Sequence, residues 1–374
     1  MSAHPVARLG VFLAFAAVLP QAAWSQAASW PPVPAVVAHR GASALRPEHT
    51  MAAYQQAIAD GADLIEPDLV MTRDGVLIAR HENEISGTTD VAAHPEFASR
   101  KATRQIDGVA VTGWFTEDFT LAEIKTLRAR ERIPANRPGN TVHDGKFEVP
   151  TLQEIIDLAK SQGRVIGLYP ETKHPSYFQS IGLAMEERLV AQLESNGYRD
   201  RSAPVFIQSF EVANLKRLRS LTSIRLAQLI DNPALAPAAN GAPRNKPYDF
   251  VAANDARTYA DLLTPAGLKE IAAYADVVSP FKTVIIARDA AGNLGAPTGF
   301  VDDAHAAGLQ VHTWTFRPEN PFLPAALRSA NAASRTERGD SVAEILAYLK
   351  AGIDGFFTDD PAVGREAVRV FSAK

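Results

Sequence analysis

His39 and Arg40 stand side by side at the end of a short apolar run, Val36 to Ala38, and Glu48, His49 and Thr50 follow closely. Glu66 with Asp68, then His81, then Glu171 with Lys173 interrupt or close further apolar runs. Glu66 and Asp68 are two apart, so in a strand both side chains face one side. Two carboxylates aimed together repel unless a cation or a shared proton intervenes; the alternative is one buried acid and one paired with an arginine. Glu171 offers a third oxygen donor. Three carboxylates in a chain without cysteine suit a hard ion such as Ca²⁺ or Mg²⁺, with Zn²⁺ on His39 and His81 as the alternative. A histidine alone is more often structural, but two at strand ends can act as acid and base across one phosphorus or carbonyl. Arg40 can clamp a phosphate through two hydrogen bonds and Lys173 adds a second positive charge, unless both merely neutralise the acids. Two histidines, two cations and a divalent ion describe phosphodiester cleavage better than glycoside hydrolysis, which needs only a carboxylate pair.

Such residues must be brought together by the elements that carry them. Short apolar runs alternate with amphipathic ones, the pattern of repeated βα units around a parallel sheet. Nine runs of strand length begin near residues 36, 64, 76, 165, 205, 225, 277, 311 and 355. The third can pair with the second as a hairpin through Arg73-Asp74-Gly75, which leaves eight. The fold expected is α/β, a (β/α)8 TIM-type barrel in which strand ends converge on one face. Gln208 and Trp314 close later runs and are expected to line the pocket, Trp314 as a wall for a choline-like headgroup or as plain packing.

Capping boxes at Thr120/Glu123, Thr151/Glu154 and Ser341/Glu344, and the pairs Thr264-Pro265 and Asp360-Pro361, mark helix starts. Segments 82–119 and 129–149 break the alternation, so 82–149 is read as an inserted small subdomain after the early strands. Its Trp114, Phe115 and Phe119 would wall the substrate or fill the subdomain's own core. Segment 231–249 reads as a surface loop.

Residues 1–26 read as a signal peptide: Arg8 precedes the apolar stretch 9–19, too short to span a bilayer, and small residues follow around Ala23, Ser25 and Ala27. The barrel domain is then 27–374. Without Arg8, 37 basic residues stand against 42 acidic ones, about −5, which excludes a basic nucleic-acid surface. The absence of cysteine excludes a disulfide framework, thiolate chemistry and a lipoprotein anchor. The expectation is an exported protein, periplasmic or released to the medium, with no stable membrane anchor after cleavage.

The stretches HRGASALRPEHT (39–50), LIEPDLVMTRDGVLIARHE (64–82), YPETK (169–173) and GFFTDDP (355–361) resemble the glycerophosphodiester phosphodiesterases, in particular their exported bacterial branch. The resemblance implies a barrel with an inserted subdomain, His39 and His81 as the acid and base, and Arg40 and Lys173 on the phosphate. It implies Glu66, Asp68 and Glu171 as ligands of one divalent cation, with Ca²⁺ placed ahead of Mg²⁺. Many members carry Asn where this chain has His49, and Asp where it has Glu82. The reaction implied is hydrolysis of a glycerophosphodiester, such as glycerophosphocholine or glycerophosphoethanolamine, to glycerol 3-phosphate and an alcohol. Water or the glycerol 2-hydroxyl can attack, the family implying the second, and the sequence leaves open which histidine is the base. A barrel phosphodiesterase of lysophospholipids, or a non-catalytic binding protein for phosphorylated ligands, are the rival readings. The oligomeric state is open.

Overall fold

The computed structural model describes residues 1, 2, 4, 30–237 and 243–373. The apolar stretch 9–19, on which the signal-peptide expectation rests, lies outside the described residues. Among those described, no helix is long and apolar enough to cross a membrane.

The strands are β1 (Ala35–His39), β2 (Leu64–Glu66), β3 (Asp68–Met71), β4 (Leu77–Ala79), β5 (Ala102–Ile106), β6 (Val109–Gly113), β7 (Gly167–Leu168), β8 (Glu171–Thr172), β9 (Phe206–Ser209), β10 (Arg225–Ile230), β11 (Val277–Pro280), β12 (Ile286–Arg288), β13 (Leu294–Pro297), β14 (Gln310–Phe316) and β15 (Gly355–Thr358). β2 and β3 are halves of one barrel strand interrupted at Pro67, and β7 and β8 halves of another interrupted at Pro170, where proline has no N–H for the ladder. The halves stay in register, with Leu64 beside Gly167 and Asp68 beside Glu171. β1 pairs in parallel with β2 on one side and β15 on the other. From β8 the parallel ladder continues through β9, β10, β11 and β14 back to β15, so eight positions close a ring. This is the (β/α)8 barrel expected.

One expectation is corrected. The run leading to His81 is not a barrel strand: β4 lies antiparallel on β3, with Met71 opposite Leu77, through the hairpin that was the alternative reading. Helix starts behave as expected at Thr120 and Thr151, where both halves of the capping box form, and at Thr264 and Asp360, which cap helices opening on proline. At the third box the register differs by one. Asp340 is the N-cap, accepting from the Ala343 N–H at 2.9 Å, and Ser341 is already helical. A carboxylate is favoured there because it meets both the free N–H groups and the positive helix end.

Strand alternation fixes what faces the barrel axis. Val37, Leu64, Tyr169, Phe206, Ala227, Val277 and Phe357 fill the interior as one apolar cluster. Two residues further along each strand, the same inward phase brings His39, Glu66, Glu171, Gln208, Leu229 and Asp359 to the C-terminal mouth. The intervening residues, such as Val36, Ala38 and Ile65, pack outward in the main core.

The segment between β4 and the helix Leu152–Lys160 contains the β5–β6 hairpin, short 3₁₀ turns and the helix Leu121–Ile124. Trp114 donates its Nε1–H to the Phe97 carbonyl at 2.7 Å, and Phe119 meets Phe97 edge-on at 5.0 Å. Trp114, Phe115 and Phe119 are therefore buried in the core that this segment shares with the outside of the barrel, and do not form a wall above its mouth.

Candidate active site

Three carboxylates meet at the mouth. Glu66, Asp68 and Glu171 each offer an oxygen within 4.8 Å of the others, all three residues buried. Glu66 accepts from the Arg40 backbone N–H at 2.8 Å and from Gln208 Nε2 at 2.9 Å, and Glu171 accepts from Lys173 Nζ at 2.7 Å. Asp68 accepts from His49 Nε2 at 2.8 Å, while His49 Nδ1 lies 2.7 Å from the Tyr54 hydroxyl. His49 thus supports Asp68 from behind. Asp68 Oδ1 and Gln208 Oε1 are buried with no hydrogen-bond partner among the described residues, as donors reserved for a cation would be. Burial first, and neighbouring carboxylates second, push the Glu66 carboxyl up; burial, opposed by Lys173 and aided by Asp68, pushes Glu171 up to about 8. Burial would also raise Asp68, but Lys173 and His49 outweigh it and hold it well below the usual carboxylate range. The donor set and this crowding of acids fit a divalent cation, whose charge would relieve the repulsion.

Around the carboxylates lies a cavity of about 370 Å³ lined by His39, Arg40, Glu66, His81, Glu171, Lys173, Gln208 and Trp314, with Phe210, Thr315 and Arg317 among its other walls. Every residue singled out from sequence for this site except Asp68 reaches that cavity; Asp68 sits beneath it, 3.5 Å from Arg40 Nε. Arg40 adopts φ +59° and Gly41 φ +85°, a sharp left-handed turn off β1. A side chain at position 41 would place its Cβ 2.7 Å from the Ala53 carbonyl carbon, so glycine is required there. The turn aims the Arg40 guanidinium across the mouth, where Glu48 holds it at 3.2 Å.

The two histidines are mounted alike. His39 Nδ1 lies 2.6 Å from Asp359 and its Nε2 faces Arg40 Nε at 3.2 Å. His81 Nδ1 lies 2.5 Å from Glu82 and its Nε2 faces Lys173 Nζ at 3.2 Å. A carboxylate on Nδ1 fixes the tautomer that leaves the Nε2 lone pair toward the cavity. Burial first, then the adjacent cations, lower His39 to about 4 and His81 to about 3, so both rings are neutral at pH 7.

Four supporting residues escaped the sequence reading. Asp359 lies within GFFTDDP, and the strand phase that places Phe357 inward is the signal that would have found it. Arg137 donates to Asp359 at 2.5 Å and to Glu319 at 2.7 Å, and Arg317 to Asp359 at 3.1 Å. Arg132 donates to Glu48 at 2.7 Å and to Glu82 at 2.6 Å. Arg132 and Arg137 come from the inserted segment, which has no periodicity to announce them. His174 pairs with Asp107 at 2.6 Å, and His312 with the Tyr169 hydroxyl at 3.0 Å.

Fold and site together define a parallel α/β barrel with an acidic mouth that could hold a cation and two histidines lining one cavity. Residues 39–363 match the Glycerophosphoryl diester phosphodiesterase family. A glycerophosphodiester phosphodiesterase of Arabidopsis thaliana is 35% identical over 336 residues, covering 86% of this chain and 82% of its own. The chain belongs to this family. Its fold is similar to that of a glycerophosphodiester phosphodiesterase from Agrobacterium tumefaciens, at TM-score 0.53 and 20% identity over 88% of this chain and 98% of that one. A phosphodiesterase of Oleispira antarctica, solved with the product sn-glycerol-3-phosphate, aligns at TM-score 0.56 and 18% identity over 90% and 97% of the two chains.

Proposed function

We propose that this protein hydrolyses glycerophosphodiesters to glycerol 3-phosphate and an alcohol. The observation that carries the reading is the mirrored mounting of His39 and His81, each with Nδ1 on a carboxylate and Nε2 toward a cation of one cavity. Arg40 and Lys173 are positioned to hold the phosphate and meet the charge that grows on its oxygens. One histidine takes a proton at Nε2 from the attacking oxygen, water or the glycerol 2-hydroxyl, and the other delivers one to the departing alcohol. A proton taken up at one Nε2 and one given up at the other leave the pair inverted, and exchange of roles between two successive steps would reset it.

A divalent cation held by Glu66, Asp68 and Glu171 would supply Lewis-acid stabilisation of the phosphate. Ca²⁺ is proposed ahead of Mg²⁺, because the available donors are several carboxylates and the amide oxygen of Gln208, a set suited to the larger ion. Arg8 and the apolar stretch 9–19 support export, and the periplasm is the proposed location, with release to the medium the alternative. His49 in Pro47-Glu48-His49-Thr50 supports placement in the exported bacterial branch.

The test is release of glycerol 3-phosphate from glycerophosphocholine and glycerophosphoethanolamine by the purified protein with added Ca²⁺, added Mg²⁺ or excess chelator. The expected result is release that the chelator abolishes and Ca²⁺ restores best. No release from any glycerophosphodiester by a folded sample would overturn the reading.

A further inference from the structure

Trp314, Thr315 and Arg317 wall the catalytic cavity on one side and an adjoining cleft of about 700 Å³ on the other. Phe281, Phe322, Lys282 and Arg288 complete that cleft. Two features mark it as a surface made to bind. Thr315 is only 7% exposed, yet its Oγ1 has no hydrogen-bond partner among the described residues. A buried hydroxyl without a partner is costly unless a ligand supplies one. Arg317 donates its Nε–H to Asp359 at 3.1 Å and stacks 5.0 Å over Phe322, but its terminal amino groups make no hydrogen bond to a described residue. Its plane is fixed and its remaining donors are unspent.

The charge of the cleft narrows the ligand. Lys282 and Arg288 share one carboxylate, Glu344, at 2.8 and 3.5 Å. The counter-ion of Arg317, Asp359, already serves Arg137 and His39. Positive charge is therefore in excess, and the unsatisfied groups are mostly donors. Trp314 is held by its Nε1–H on the Ser279 carbonyl at 2.9 Å and packs edge-on against Phe210 and Phe281. Aromatic faces alone would suit a quaternary ammonium, but three nearby cations oppose one.

We propose that this cleft receives the alcohol headgroup of the diester and selects hydroxyl-rich, hydrogen-bond-accepting headgroups of the inositol type over cationic ones. The proposal rests on the phosphodiesterase reading and names its substrate class. Arg317 and Thr315, which line both the catalytic cavity and the cleft, are the contacts.

The experiment compares kcat/KM for glycerophosphoinositol and glycerophosphocholine, by glycerol 3-phosphate release with saturating Ca²⁺, in the wild type, Thr315→Val and Arg317→Gln, with folding checked by thermal unfolding. The wild type should favour the inositol ester by about tenfold or more. Arg317→Gln should lower kcat for both esters alike, because it also loosens Asp359 behind His39, and should erase the ratio between them through a further rise in KM for the inositol ester alone; the isosteric Thr315→Val should reduce the ratio about threefold. A wild-type ratio at or below one, or a ratio unmoved in both folded variants, overturns the proposal. Release from neither ester, nor from glycerophosphoethanolamine, fails the phosphodiesterase reading itself.

Discussion

His39 and His81 are oriented by the same kind of bond in different surroundings. The His39 arm is made by the barrel: Asp359 follows β15, its side chain is 3% exposed, and two arginines clamp it. The His81 arm hangs from the antiparallel strand β4. His81 is 29% and Glu82 38% exposed, and a single arginine, Arg132, spans Glu82 and Glu48. A carboxylate between two buried cations is locked by electrostatics and packing together, while a half-exposed one can yield to solvent or ligand. The first arm is therefore rigid and coupled to stability. The second can adjust its reach.

The comparison can be broken first at the rings. His39→Ala and His81→Ala should each lower kcat by about 10³-fold with the fold retained, since the acid and base are both needed; a near wild-type rate in either removes that arm from the chemistry. Next come the carboxylates. Asp359→Asn should lower kcat by about 10²-fold and destabilise the protein by about 3–5 kcal/mol, because it strips a buried counter-ion from Arg137 and Arg317. Glu82→Gln should cost only about tenfold in kcat and leave the unfolding temperature nearly unchanged. Equal losses of stability would refute the contrast. The arginines sharpen it further: Arg137→Ala, which frees Asp359 and Glu319, should lower the melting temperature by several degrees more than Arg132→Ala.

The smallest effect belongs to a buried histidine without a carboxylate arm. His312 is lowered to about 4 by burial, as is His39 by burial and Arg40. Unfolded histidines take up protons near 6.5, so the stability these rings contribute is complete above that pH and is lost as the pH falls toward 4. His312→Asn should change kcat less than about threefold and make the acid decline of the melting temperature shallower.

The sequence showed the parts of the site that strands impose. Period-two alternation puts His39, Glu66, Glu171 and Gln208 at strand ends, and the spacing of Glu66 and Asp68 already required one shared face. The same logic would have reached Asp359 from Phe357. Arg132, Arg137 and Arg317 lie in irregular segments, where a side chain's partner depends on tertiary path and not on local pattern. The runs through Pro67 and Pro170 were legible as single barrel strands, though each proline breaks the ladder into two halves, and Asp340 took the cap expected of Ser341 by a shift of one residue.

The central claim is that the two arms carry opposite protons for one phosphodiester. The most direct test replaces the alcohol with p-nitrophenol, a leaving group that needs no protonation, and measures its release from glycerophospho-p-nitrophenol by His39→Ala and His81→Ala. Recovery of rate in one variant, the one lacking the acid, and not in the other is the expected result. Equal recovery in both, or in neither, would contradict a division of labour between the arms.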